Sequence, residues 1–119
     1  MPLVEKVGMI IHPVEDLDEA VPFYADALGL SLKFRDADRF AAFDAGGVTI
    51  ALAAGAEAVS NTPTVSYKVV DVEAAVDDLV ASGATLESPP QEGPHEIRAV
   101  LRDPAGNPLV VYAPRQVVP

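Results

Sequence analysis

His12 and His95 are the only imidazoles in this 119-residue chain, and it contains no cysteine. Disulfides, thiolate metal sites and cysteine nucleophiles are therefore excluded. Acid–base or metal chemistry would have to draw on the two histidines and the carboxylates. Neither histidine has a nucleophile-like setting, so a Ser–His–Asp arrangement has no local support. His12 closes the apolar run that begins at Val7. In a strand, residues 9, 11 and 13 share one face and 8, 10 and 12 the other, so His12 lies opposite Met9 and reads as a structural histidine. His95 follows Pro-Pro-Gln-Glu-Gly-Pro, a rigid loop where it serves as part of a lid or as an ordinary exposed side chain. Lys68 is the one ammonium in the alternating run 64–70.

The elements that must position these groups start with a short strand over residues 3–12. A helix follows, with Asp16 as N-cap, Glu19 completing a capping-box pattern and Leu17, Val21, Tyr24 and Leu28 on one face. Pro22 removes a backbone donor and predicts a loosened turn and a kink. Gly29 supplies the stop. Residues 31–34, 39–44 and 48–53 read as strands, the last two joined through Gly46-Gly47, whose freedom at positive φ suits a tight hairpin. Residues 54–63 have no period and form a linker. A second set then appears: strand 64–70, a helix capped by Asp71 and stopped by Gly83, a short strand 85–87, the loop 89–94, strand 97–102, a type I turn at Asp103-Pro104-Ala105-Gly106, and strand 109–112.

Asp16-Leu17 and Ala20-Val21 recur 55 residues later as Asp71-Val72 and Ala75-Val76, and Gly47 with Ile50-Ala51-Leu52 recurs 59 later as Gly106 with Leu109-Val110-Val111. Length predicts one domain over 1–119, with module one at about 3–54, a linker at 55–63 and module two at about 64–114. Two tandem βαβββ modules, neither able to close a core alone, predict an α+β fold: a curved mixed sheet with helices on its convex face.

Eighteen acidic against eight basic residues give a net charge of −10, which argues against nucleic acid and describes a solvated, self-repelling surface. No apolar run approaches the ~18 residues of a membrane span. The N-terminus lacks a basic segment followed by an apolar core, so a cytoplasmic protein is expected.

Asp-Leu, Phe23-Tyr24 and Leu28-Gly29 after a short strand resemble the opening module of the vicinal oxygen chelate superfamily. That group includes glyoxalase I, extradiol dioxygenases, an epimerase, fosfomycin-inactivating transferases and bleomycin-resistance binding proteins. The resemblance runs from about residue 5 to 114. It implies metal ligands, usually His and Glu, at positions that here carry Met9, Ala51, Thr64 and Val110. Met, Ala, Thr and Val do not supply the imidazole or carboxylate that a divalent cation needs.

Strand parity sends Val48, Ile50 and Leu52 under the first helix, and Val65, Tyr67, Val69, Leu109 and Val111 under the second. The concave face is then lined by Met9, Ile11, Thr49, Ala51, Thr64, Ser66, Lys68, Val110 and Tyr112: an apolar cup with a few polar groups, as small-molecule pockets are. Arg98 and Arg102 share a face that the sequence leaves open. Three functions fit: a metal-free small-molecule binding protein of the bleomycin-resistance type, with no cofactor; a glyoxalase- or dioxygenase-like enzyme holding a divalent metal through a non-standard ligand set; or a regulatory module whose cup is filled by side chains. A homodimer is implied, because a half-closed concave sheet leaves apolar surface and relatives pair this way.

Overall fold

The computed structural model describes residues 3–93 and 96–115. Its strands and α-helices run in the order β1 (Val4–Val14), α1 (Leu17–Pro22), β2 (Ser31–Asp36), β3 (Phe40–Asp44), β4 (Thr49–Ala54), β5 (Thr64–Val69), α2 (Val72–Ala81), β6 (Thr85–Glu92), β7 (Glu96–Arg102) and β8 (Pro108–Pro114). The class is α+β, as the repeat predicts. The chain forms two compact units: Gly8–Thr64, here the first unit, and the segment through Val7 together with the chain from Val65, the second.

Both units are built alike. In the first, strands lie in the order β2-β3-β4-β1, with β2–β3 and β3–β4 antiparallel and β4–β1 parallel. In the second the order is β6-β7-β8-β5, with the same alternation of sense. Ile10 pairs with Ile50 and Val65 with Leu109, so the backbone register reproduces the 55- and 59-residue offsets read in the sequence.

The first unit packs Leu17, with Ala20, Val21, Tyr24 and Ala25 from the helical segment, onto Ala41, Phe43, Leu52 and Ala54. Asp16 caps α1 by accepting from the Asp18 N–H at 2.9 Å. Among the described residues Glu19 makes no answering bond, so the capping box is half formed. Asp18 instead pairs with Arg35 of β2. Past Pro22 the helix widens into a π-turn over Phe23–Ala27, with the Leu28 N–H donating to the Phe23 carbonyl, the loosening that a missing proline donor predicts. His12 points to this layer: its ring lies 6.2 Å from that of Tyr24, which in turn contacts Phe43 at 6.0 Å. Val48 does not join the packing and is 43% exposed, because it precedes β4 in the hairpin. In that hairpin Gly46 and Gly47 take φ of 77° and 97°, and their N–H groups donate to the Asp44 carboxylate.

In the second unit α2 lays Val72, Ala75, Val76 and Leu79 on Val69, Ala99, Leu101, Val111 and Ala113, and Val4 of β1 completes the cluster. Asp71 caps the helix through the Ala74 N–H at 3.1 Å. The β7–β8 turn is pinned by Asp103, whose backbone carbonyl accepts from Gly106 and whose carboxylate accepts from Ala105 and Asn107. The Asn107 bonds, its side-chain amide first, hold that carboxyl below the ordinary range. A second expectation fails here. Residues 89–92 do not form a loop but continue β6, the terminal strand of this unit's order, with register shifts on both sides of Ser88. An edge strand tolerates prolines because its outer N–H groups have no partner to lose. Pro94 and His95 lie outside the described residues.

Ala37, in the β2–β3 turn, has a φ of 49°. A side chain there costs roughly 1 kcal/mol relative to glycine. Ala37→Gly should therefore raise stability by up to about 1 kcal/mol, less the entropy glycine adds to the unfolded chain, read from the urea midpoint at unchanged slope. His12→Gln should lower stability by about 0.5–1.5 kcal/mol, the scale of one aromatic contact. Urea titration with a parallel thermal-shift assay measures both.

Candidate functional site

In each unit one sheet face is covered by its helix, and the register fixes what the other face carries. In the first unit Ile11 pairs directly with Ala51, and these two with Ala53 form a separate buried cluster away from α1. Met9, Phe40 and Ala58, the last from the linker, pack into the space the alanines leave. Phe40 stacks on Phe34 at 5.7 Å, and Phe34 is half-exposed. Thr49 accepts from the Lys33 ammonium at 3.1 Å, while the buried Thr64 spends its hydroxyl on the Thr62 carbonyl. This face is largely hydrocarbon, and its polar groups are engaged.

The second unit differs. Lys68 of β5 pairs with Tyr112 of β8, Tyr112 with Arg98 of β7, and Arg98 with Gln91 of β6. Neighbours in register point the same way, so Lys68, Tyr112, Arg98 and Gln91 form one row across four strands on the face opposite α2. The next row is Ser66, Val110, Val100 and Ser88. Val110, Val100 and Ser66 are buried, whereas Lys68, Tyr112 and Arg98 keep partial access to solvent.

Of the nine residues expected to line the face, Met9, Ile11, Thr49, Ala51 and Thr64 fall in the first unit, and Ser66, Lys68, Val110 and Tyr112 in the second. Arg98, whose face the sequence leaves open, joins the second set through its pairing with Tyr112. The signal for it lay in the Asp103 turn. Running the register back from the pair Arg102–Pro108 puts Arg98 opposite Tyr112. Arg102, on the same face, is committed elsewhere: it pairs with Glu87 at 2.6 Å and donates to the Gly106 carbonyl.

Arg35, Arg39, Arg102 and Arg115 each pair with a carboxylate. Lys68 and Arg98 have no hydrogen bond or ion pair among the described residues. Burial, then the charges of Glu96 and Glu5, push the Tyr112 phenol up, so it remains a neutral donor at neutral pH. Lys68 also borders an open depression of about 680 Å³ at the sheet end, with Glu5, Asp71, Glu92 and Arg115. Three carboxylates against two cations, one of them paired to Glu92, make this a less directed arrangement than the row.

Met9, Ala51, Thr64 and Val110 can each be judged as metal ligands. A thioether, two hydrocarbons and a hydroxyl already bonded to a carbonyl do not fit a hard or borderline divalent cation. Among the described residues no three His, Asp or Glu side chains gather elsewhere.

Residues 9–112 match the glyoxalase-like domain family. An uncharacterized protein of Mycolicibacterium smegmatis is 43% identical over 110 residues, 92% of this chain and 94% of its own. Among solved structures, methylmalonyl-CoA epimerase from Mycobacterium tuberculosis superposes with a TM-score of 0.74 at 20% identity, over 98% of this chain and 92% of that one. A glyoxalase/bleomycin resistance protein/dioxygenase superfamily member from Vibrio splendidus gives 0.66 at 18% identity, over 88% and 96%. These two likenesses concern the fold. With a family match across most of its length and a relative this similar, the chain belongs to the glyoxalase-like domain family.

Proposed function

We propose that the protein is a metal-free small-molecule binding protein, as the bleomycin-resistance branch of the superfamily is, holding its ligand on the helix-free face of the second unit. The observation that carries this reading is a pair of contrasts. The positions where metal-dependent relatives keep their ligands hold side chains without a suitable donor, while the second unit presents Lys68, Tyr112 and Arg98 in one half-buried row beside the apolar Val110 and Val100. Polar groups gathered beside apolar ones are what small-molecule sites are made of. A cytoplasmic setting is part of the same proposal, in keeping with a chain free of cysteine. No helix among the described residues is long and apolar enough to cross a membrane.

The proposal extends to a homodimer. Phe23, Leu28, Leu32 and Phe34 of the first unit are each close to half-exposed or more, a density of large apolar groups that a second copy would cover.

Native mass spectrometry of freshly purified protein, combined with elemental analysis, tests the binding reading. We expect well under one equivalent of zinc, nickel, iron or manganese per chain. One equivalent whose removal by chelation abolishes an activity would establish the metal-dependent enzyme instead. Light scattering at micromolar concentration should return twice the chain mass of 12.5 kDa, and a monomer mass would contradict the dimer.

A further inference from the structure

Resting on that reading, we infer that Lys68, Tyr112 and Arg98 form a site for the carboxylate of a small organic acid. The row offers an ammonium, a phenol and a guanidinium in register. Two strand spacings separate the Cα atoms of Lys68 and Arg98 by about 10 Å, so two long side chains on one face can converge over the ring between them. Ammonium and guanidinium only donate, and a neutral phenol can add a third donor. A group that accepts several hydrogen bonds and carries negative charge complements all three.

Arg98 is the telling member. It is partly buried, yet makes no bond among the described residues, in a chain with 18 carboxylates where the other four arginines are each ion-paired. Its planar fork matches two coplanar carboxylate oxygens, whereas Lys68 acts as a movable point charge.

Glu5 and Glu96 act on Tyr112 strongly enough to add to its shift, and their field opposes any anion. The two row cations counter that field for any anion, and the planar fork of Arg98 favours a carboxylate head group.

The test is a thermal-shift screen, followed by calorimetry, on wild type, Lys68→Met, Arg98→Gln and Arg98→Lys, with Arg115→Gln as a control outside the row. The probes are benzoate, phenylacetate and hexanoate, each with its matched amide and amine, and inorganic phosphate. We expect at least one acid to stabilise the protein more than its amide, its amine or phosphate. Lys68→Met and Arg98→Gln should each weaken that acid about tenfold to a hundredfold, the range for a charge-assisted hydrogen bond. Arg98→Lys should recover only part of the loss, and Arg115→Gln should change nothing. Melting of the ligand-free variants checks that they fold, and the lysine variant keeps the question answerable where glutamine does not fold. Absence of stabilisation by every acid overturns the inference. So does equal binding of acid and amide, or acid binding indifferent to both row positions. Neutral or cationic probes that bind wild type and the row variants alike would sink the carboxylate site and leave small-molecule binding standing. A stoichiometric metal would overturn the binding reading instead.

Discussion

The parallel pairing of the first and last strands of each module is the constraint on which the rest depends. β1 lies against β4 and β5 against β8, both without a hairpin to fix register. Register is set instead by burial. Leu52 and Val111 must meet the helices, because a slip of one residue would turn each strand's apolar set away from its core. Once these two are seated, every alternate residue is assigned. His12 goes to Tyr24, Ala51 goes opposite Ile11 on the other side, and Lys68 stands beside Tyr112. The chemistry of the free faces follows from the packing of the covered ones.

This is why so much of the architecture could be read from the chain. The 55- and 59-residue offsets are consequences of two modules sharing one register, and the structure reproduces them pair by pair. Asp16, Asp71, Gly29 and the Gly46-Gly47 hairpin act through local chemistry and read directly. Less legible was what depends on strand neighbours. Pro89-Pro90 reads as the start of a loop because proline rejects a central strand, and only its place at the end of the order makes an extended path possible. Ala37 gave no sign of positive φ, since alanine rarely adopts it. The lining was named from parity alone, which says which way a residue points but not what lies over it. Hence Phe40 and Ala58, which pack over Ala51 and Ala53, went unforeseen.

Charge is informative here through its pairing rather than its sum. A net −10 would draw cations by long-range steering, but surface charges are screened beyond about 8–10 Å in physiological salt. Half of the eight cations are absorbed locally: Arg35 by Asp18, Arg39 by Asp36, Arg102 by Glu87 and Arg115 by Glu92. These exposed pairs contribute little stability, because water screens them and ordering two long side chains costs entropy. Their consequence is to make Arg98 stand out as the arginine without an ion pair among the described residues.

The duplicated modules make the same point by comparison. The row Lys68–Tyr112–Arg98 has its counterpart in the first unit at Pro13–Ala53–Phe40, in the same register on the same strands of the module. There the row is apolar, and Phe40 turns down onto Ala51 and Ala53 to seal the sheet. One backbone plan thus carries a closing surface in one module and a set of donors in the other. Packing cannot be the reason for the difference, since proline, alanine and phenylalanine satisfy that row without any hydrogen bond. A lysine, a tyrosine and an arginine bring desolvation to overcome, a cost already visible in the raised Tyr112. The three donors are half-buried where hydrocarbon would serve, and that contrast is what the proposed carboxylate site rests on.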